Sequence, residues 1–216
     1  MDVYELRQYT LVPGQRDVLI ELFDRQLVEP QEALGMTVAG QFTDLDRPDH
    51  FVWLRGFPDM VRRREALAAF YGGPVWAAHK DAANATMIDS DDVLLLRPVV
   101  PFPVAPIRPP VGATTVPSTL VAVTVYALPG PVSPEVLRLV GAVAGGERIA
   151  LLQTEPAPNT FPALPVREGE HVVVRVARYE DEAAHRPPDT PRELLDQLTA
   201  PPVELRLRPT ARSRLR

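Results

Sequence analysis

The chain has 216 residues, no cysteine and a formal net charge of −5. The acidic balance excludes a protein that wraps a phosphate backbone, which needs a basic surface to displace counterions. The missing cysteines exclude disulfide frameworks, thiolate metal centres and cysteine nucleophiles. No stretch reaches the roughly 18 consecutive apolar residues of a membrane span. The chain opens on a strand pattern with no charged-then-apolar leader, so a cytoplasmic protein with no membrane and no nucleic-acid partner is expected.

Alternation predicts a first strand over Val3–Leu11, ended by Pro13-Gly14. Leu19, Leu22, Phe23 and Leu27 then fall at helical spacing, and Pro30 is expected to end that helix near Val28. Strands follow over Thr37–Thr43 and Phe51–Phe57, separated by the turn chemistry of "DLDRPD". Asp59 reads as the N-cap of a helix reaching Phe70, and Pro74 opens another. Val93–Arg97 closes a β-α-β-β-α-β unit, the ferredoxin-like order.

Prolines crowd residues 98–117 and predict a semi-extended linker between a first half, 1–97, and a second, 118–216. The second half repeats the order: strand Leu120–Leu128, helix from Ser133, strands Arg148–Thr154 and His171–Tyr179, a short helix near Pro191–Leu198, and strand Val203–Arg208. "YTLVPG" is echoed by "YALPG" and "VLLLRP" by "VELRLRP", in the same sequence of elements. An internal duplication accounts for this; coincidence of short apolar runs is the alternative.

Side chains alternate across a strand. In Phe51–Phe57, Val52 and Leu54 are expected to face the helices, leaving Phe51, Trp53, Arg55 and Phe57 on the other face with Glu5, Arg7 and Tyr9. That second face is too aromatic for water and too charged for an ordinary core, so it is expected to line the interior of a barrel made by two facing sheets. A solvated face or a subunit interface is the bland alternative. Aligning the echoes sets Glu5 and Arg7 against Ala122 and Thr124, so a site belongs to the first half.

The opening Tyr4-Glu5-Leu6-Arg7 with Tyr9 and Pro13-Gly14, the aromatic third strand, and "PVWAAHKDAANATMIDSDDVLLLRP" resemble the NIPSNAP family, a branch of the dimeric α/β-barrel proteins, over about Asp2–Arg97. The resemblance implies an α+β fold in which two ferredoxin-like halves of one chain form a pseudo-dimeric α/β barrel. Related barrel families include cofactor-free oxygenases, haem-handling enzymes, isomerases, lyases and cyclases, an analogy of fold that does not decide function.

The leading expectation is a cofactor-independent enzyme acting on a small apolar metabolite in the barrel cavity. Glu5, Arg7, Tyr9 and His79 form its catalytic set: an arginine to hold an anionic group, Tyr9 to donate a hydrogen bond, Glu5 or His79 to move a proton. Phe51, Trp53, Arg55, Phe57 and Asn84 are the ligand-binding set. The competing expectation is a non-catalytic ligand-binding or scaffold protein in which Glu5 and Arg7 are a structural pair. For His79 the simpler reading is a helix histidine satisfied by a neighbouring carboxylate. No histidine pair has metal-ligand spacing, so no metal is expected. "NATMIDSDD" reads as a turn rich in local hydrogen bonds, Arg62, Arg63 and Arg64 as a solvated helix face, and "TARSRLR" as a frayed basic tail. Free sheet edges leave a homo-oligomer open.

Overall fold

The computed structural model describes residues 2–99, 104–105 and 107–216. The first half runs β1 (Val3–Leu11), α1 (Arg16–Leu22), a π-helical turn (Phe23–Leu27), α2 (Val28–Ala33), β2 (Thr37–Asp44), β3 (His50–Phe57), α3 (Met60–Tyr71), α4 (Pro74–Asn84) and β4 (Met87–Pro98). The second runs β5 (Leu120–Leu128), α5 (Pro134–Ala142), β6 (Glu147–Thr154), β7 (His171–Tyr179), α6 (Arg192–Leu195) and β8 (Val203–Pro209).

The eight strands close into one antiparallel barrel, in the order β1-β3-β2-β8-β5-β7-β6-β4. Each half contributes a ferredoxin-like sheet, and the outer strands of one half pair with those of the other. The two seams are short. Phe42, Thr43 and Asp44 pair with Pro209, Arg208 and Leu207 at one; Leu96, Arg97 and Pro98 pair with Thr154, Gln153 and Leu152 at the other. Closure removes the free edges through which copies were expected to associate. The two halves pair their strands in the same register. Glu5 opposes Arg55 and Tyr9 opposes Phe51, just as Ala122 opposes Ala177 and Tyr126 opposes Val173.

Two helix starts follow the capping rule. Asp59 accepts a hydrogen bond from the Arg62 amide at 2.7 Å, and Ser133 caps α5 through the Val136 amide, with Pro134 in the first turn. The first helical run does not stop at Val28; it continues to Ala33. Pro30 lacks an N–H, and its ring crowds the carbonyl four residues back. That carbonyl, of Gln26, lies in the π-helical turn, where the spacing is already widened. Strand β4 begins at Met87 rather than Val93. The expected turn over Asn84–Asp92 is thus mostly strand, bulged opposite Thr10, with Asp91 N donating to Asp89 Oδ1 at 2.8 Å.

One apolar cluster draws side chains from all eight strands and from no helix, including Leu6, Phe42, Leu54, Leu94, Val123, Leu152, Val174 and Leu207. It fills the barrel lumen, leaving a cavity of about 10 Å³, room for no more than a water molecule. The faces are therefore the reverse of those expected. Val52 and Leu54 look into the lumen, whereas Tyr9, Phe51, Trp53 and Phe57 pack against Phe23, Leu27, Leu67 and Phe70 of the helices. Valines and leucines fill most of the narrow lumen, with Tyr4 and Phe42 among them, and the rings of Tyr9, Phe51, Trp53 and Phe57 occupy the gap between sheet and helices.

The C-terminal segment is not frayed. Leu215 is buried at the lumen's end, its amide bonded to Ala39 O at 3.0 Å. Arg212 pairs with Glu29 and bonds Asp24 O, while Arg214 Nε donates to Ala105 O at 2.5 Å. Within the linker expected over 98–117, residues 100–103 and 106 lie outside the described residues. Arg108 clamps the rest to the first half through Val38 O, Gln41 Oε1 at 2.9 Å and Glu32 Oε1 at 2.7 Å.

Candidate functional site

Burying Glu5, Arg7 and Tyr9 against the helices requires partners, and the structure supplies them. Glu5 Oε2 accepts from Arg55 Nη2 at 2.5 Å and Arg7 Nη1 at 3.0 Å. Its Oε1 accepts from Arg63 Nε at 2.7 Å. Arg7 Nε donates to Tyr9 OH at 3.0 Å, and Arg55 Nη1 to Gln31 Oε1 at 2.8 Å. The rings form the walls. The Arg55 guanidinium lies 4.8 Å from the Trp53 ring centre and 5.3 Å from that of Phe57, and Phe23 meets Trp53 edge-on at 4.8 Å. Glu5, Arg55 and Arg63 are fully buried, and Arg7 is 1% exposed.

Arg63 is the residue that sequence reasoning missed. Its place in the run Arg62–Arg64 suggested solvent, yet it lies three and four residues before Ala66 and Leu67, on the buried stripe of α3. Its Nη1 reaches the second half, donating to Asn159 Oδ1 at 3.0 Å and Thr160 Oγ1 at 3.2 Å in the β6–β7 connection. The adjacent Phe161 stacks on Tyr71 at 6.0 Å. The second half thus lids the first.

The electrostatics bear on the expected roles. Burial alone would push the Glu5 carboxyl up, but Arg55, Arg7 and Arg63 together hold it well below the usual carboxylate range. Burial raises the Tyr9 phenol despite Arg7 beside it. Glu5 is therefore a fixed anion and Tyr9 a neutral phenol whose oxygen accepts from Arg7. His79 is partly exposed and Asn84 exposed, both on α4. Neither side chain hydrogen-bonds to the cluster among the described residues. Seven expected site residues, Glu5, Arg7, Tyr9, Phe51, Trp53, Arg55 and Phe57, come together between sheet and helices, away from the barrel lumen, while His79 and Asn84 stand apart.

An open cavity lies nearby on the same outer face of the sheet. It spans the β4–β6 seam, has a volume of about 400 Å³, and is roofed by Glu155–Pro158 and Val166–Glu170 of the β6–β7 connection. Arg97 and Gln153 are directly opposed across the seam. Gln153 opposes Val173, two residues from His171, so the three polar side chains share a face. None makes a hydrogen bond or ion pair among the described residues. Leu95, Pro131, Val132 and Val166 provide apolar walls.

At the other seam, Asp24 sits on the π-helical turn and accepts from Gln41 Nε2 at 2.7 Å. Burial pushes its carboxyl up to about 6, against that bond and the nearby Arg212 and Arg108. A raised carboxyl pKa makes ionisation cost folding free energy. The penalty is absent below the unfolded value of 3.8 and complete above about 6. Asp24→Asn keeps the acceptor for Gln41 and should raise the melting midpoint at pH 7.5 but not at pH 3.5. Melts at the two pH values check this.

Residues 4–102 match the NIPSNAP family model. No curated protein matches the sequence. A candidate monooxygenase from Fusobacterium nucleatum is 10% identical with a TM-score of 0.55, over 96% of this chain and 92% of that one. An anthrone oxidase-like protein is 12% identical with a TM-score of 0.54, over 97% and 91%. A NIPSNAP domain protein from Burkholderia xenovorans is 15% identical with a TM-score of 0.43, over 47% of this chain and 98% of its own. At these identities the likeness is one of fold. No helix among the described residues is long and apolar enough to cross a membrane.

Proposed function

We propose that this chain, whose first half is a NIPSNAP domain over residues 4–102, is a small-ligand-binding protein that takes an amphipathic monocarboxylate into the β4–β6 seam cavity. One observation carries the reading: three polar side chains without partners, Arg97, Gln153 and His171, converge on an open apolar-walled cavity between the halves. Its volume of about 400 Å³ falls within the range of ligand pockets, and seams between units are common places for them. The planar Arg97 fork suits a carboxylate, and the Gln153 amide can donate a further bond. Leu95, Pro131, Val132 and Val166 suit an apolar body. Glu155, Glu168 and Glu170 line the same cavity and disfavour ligands with several negative charges.

A cofactor-independent enzyme of the kind expected from the sequence would use Arg7 or Arg55 to hold an oxyanion. It also needs a proton acceptor. Glu5 is pinned as an anion by three guanidiniums, and His79 is not beside it, so the geometry favours binding over turnover.

Titration calorimetry with acetate, hexanoate and phenylacetate, set against phosphate and a tricarboxylate, tests the proposal. Hexanoate and phenylacetate should bind saturably, acetate more weakly, and the tricarboxylate not at all. Arg97→Gln should weaken binding about tenfold or more, the loss of one charged hydrogen-bond pair, with the melting midpoint unchanged. Equal affinity in that variant, or no saturable monocarboxylate, would overturn the assignment.

A further inference from the structure

We propose that the arginine cage of the first half is a binding site for one small monovalent anion, of halide or nitrate size, held beside Arg63. The charge count leads there. Three guanidiniums, Arg7, Arg55 and Arg63, surround a single carboxylate, Glu5, and all four residues are at most 1% exposed. Every other partner is neutral: Tyr9 OH, Ser90 O, Gln31 Oε1, Asn159 Oδ1 and Thr160 Oγ1. Among the described residues, two positive charges are therefore left without a counter-ion inside the protein, where an uncompensated charge is expensive. Arginine does not escape by deprotonating.

One donor marks where the anion sits. Arg63 Nη2 is buried and has no hydrogen-bond partner among the described residues. Buried N–H groups are rarely left unpaired. Arg63 is also the least compensated of the three cations. Burial pulls its pKa below the ordinary arginine range even with Glu5 alongside, while those of Arg7 and Arg55 are raised. Size and charge follow from the enclosure. The rings of Tyr9, Trp53 and Phe57 and the lid at Asn159–Thr160 exclude a bulky ligand. A weakly hydrated monovalent ion loses least on entering.

The test uses intact protein at constant ionic strength. Replacing sodium gluconate by sodium chloride, bromide or nitrate should raise the melting midpoint by several degrees and saturate. Arg192→Gln, an exposed arginine outside both the cage and the seam cavity, should keep the shift, and Arg63→Met should lose it. Because Arg63→Met may fold poorly, the wild-type protein is also crystallised from bromide. An anomalous peak beside Arg63 supports the site. A melting midpoint that is the same in gluconate as in chloride, bromide and nitrate, or a cage without bromide, overturns it.

Discussion

Replacing Glu5 by Gln should be among the most damaging single changes in the chain. It keeps the shape of the side chain and removes the one carboxylate that three buried arginines share. Removing one partner of a buried ion cluster costs about 3–5 kcal/mol, because the remaining charges stay buried. In a domain of this size that lowers the melting midpoint by about 10 °C. The same logic predicts a rescue. Arg63→Met added to Glu5→Gln removes one of the stranded charges, and the double variant should be more stable than Glu5→Gln alone. Urea titrations of the wild type, Glu5→Gln, Arg63→Met and the double variant decide it; independent, additive losses would mean that Glu5 and Arg63 are not coupled. The pH dependence has a definite sign. The Glu5 carboxyl is held below its ordinary value, so its stabilisation is complete above the unfolded-state pKa of 4.5 and is lost as pH falls toward the folded one. The difference between wild type and Glu5→Gln should therefore shrink on acidification.

Leu215→Ala should be nearly as costly, for an unrelated reason. Leu215 belongs to the cluster that fills the barrel lumen and is 4% exposed. With Leu6, Phe42 and Leu54 it borders the residual cavity of about 10 Å³. Truncating it enlarges a void in a wall that eight hydrogen-bonded strands prevent from collapsing. Leucine-to-alanine changes at such sites cost about 2–5 kcal/mol. A loss below about 1 kcal/mol in denaturant titration would show that the tail does not seat in the lumen.

Much of this architecture was legible in the residues. Val3–Leu11 and Leu120–Leu128 are the observed strands, and the order of elements and its repetition specified two ferredoxin-like halves. Which strand face meets the helices was not legible by the rule applied. Alternation sorts residues into two sets without saying where each set points. In β3 both sets are apolar enough for either role: Val52 and Leu54 in one, Phe51, Trp53 and Phe57 in the other. In β3 side-chain size is the better guide, since valine and leucine fit the lumen and the three rings fit the deeper gap under the helices. Arg63 was hidden by its neighbours Arg62 and Arg64, although its spacing to Ala66, Leu67 and Phe70 marked it as buried. The C-terminal segment was misjudged on composition, because Arg212 and Arg214 find carboxylate and carbonyl partners that only the tertiary fold brings near.

The unequal halves carry a last implication. Two identical chains forming such a barrel must make every substitution twice, so a cage with surplus charge would burden both sides. Fusion into one polypeptide lifts that constraint. Ala122 and Thr124 stand where Glu5 and Arg7 stand in the other half, and the second half lends its β6–β7 connection as the cover over Arg63. Division of labour between two like halves is what a shared covalent backbone permits and strict two-fold symmetry forbids.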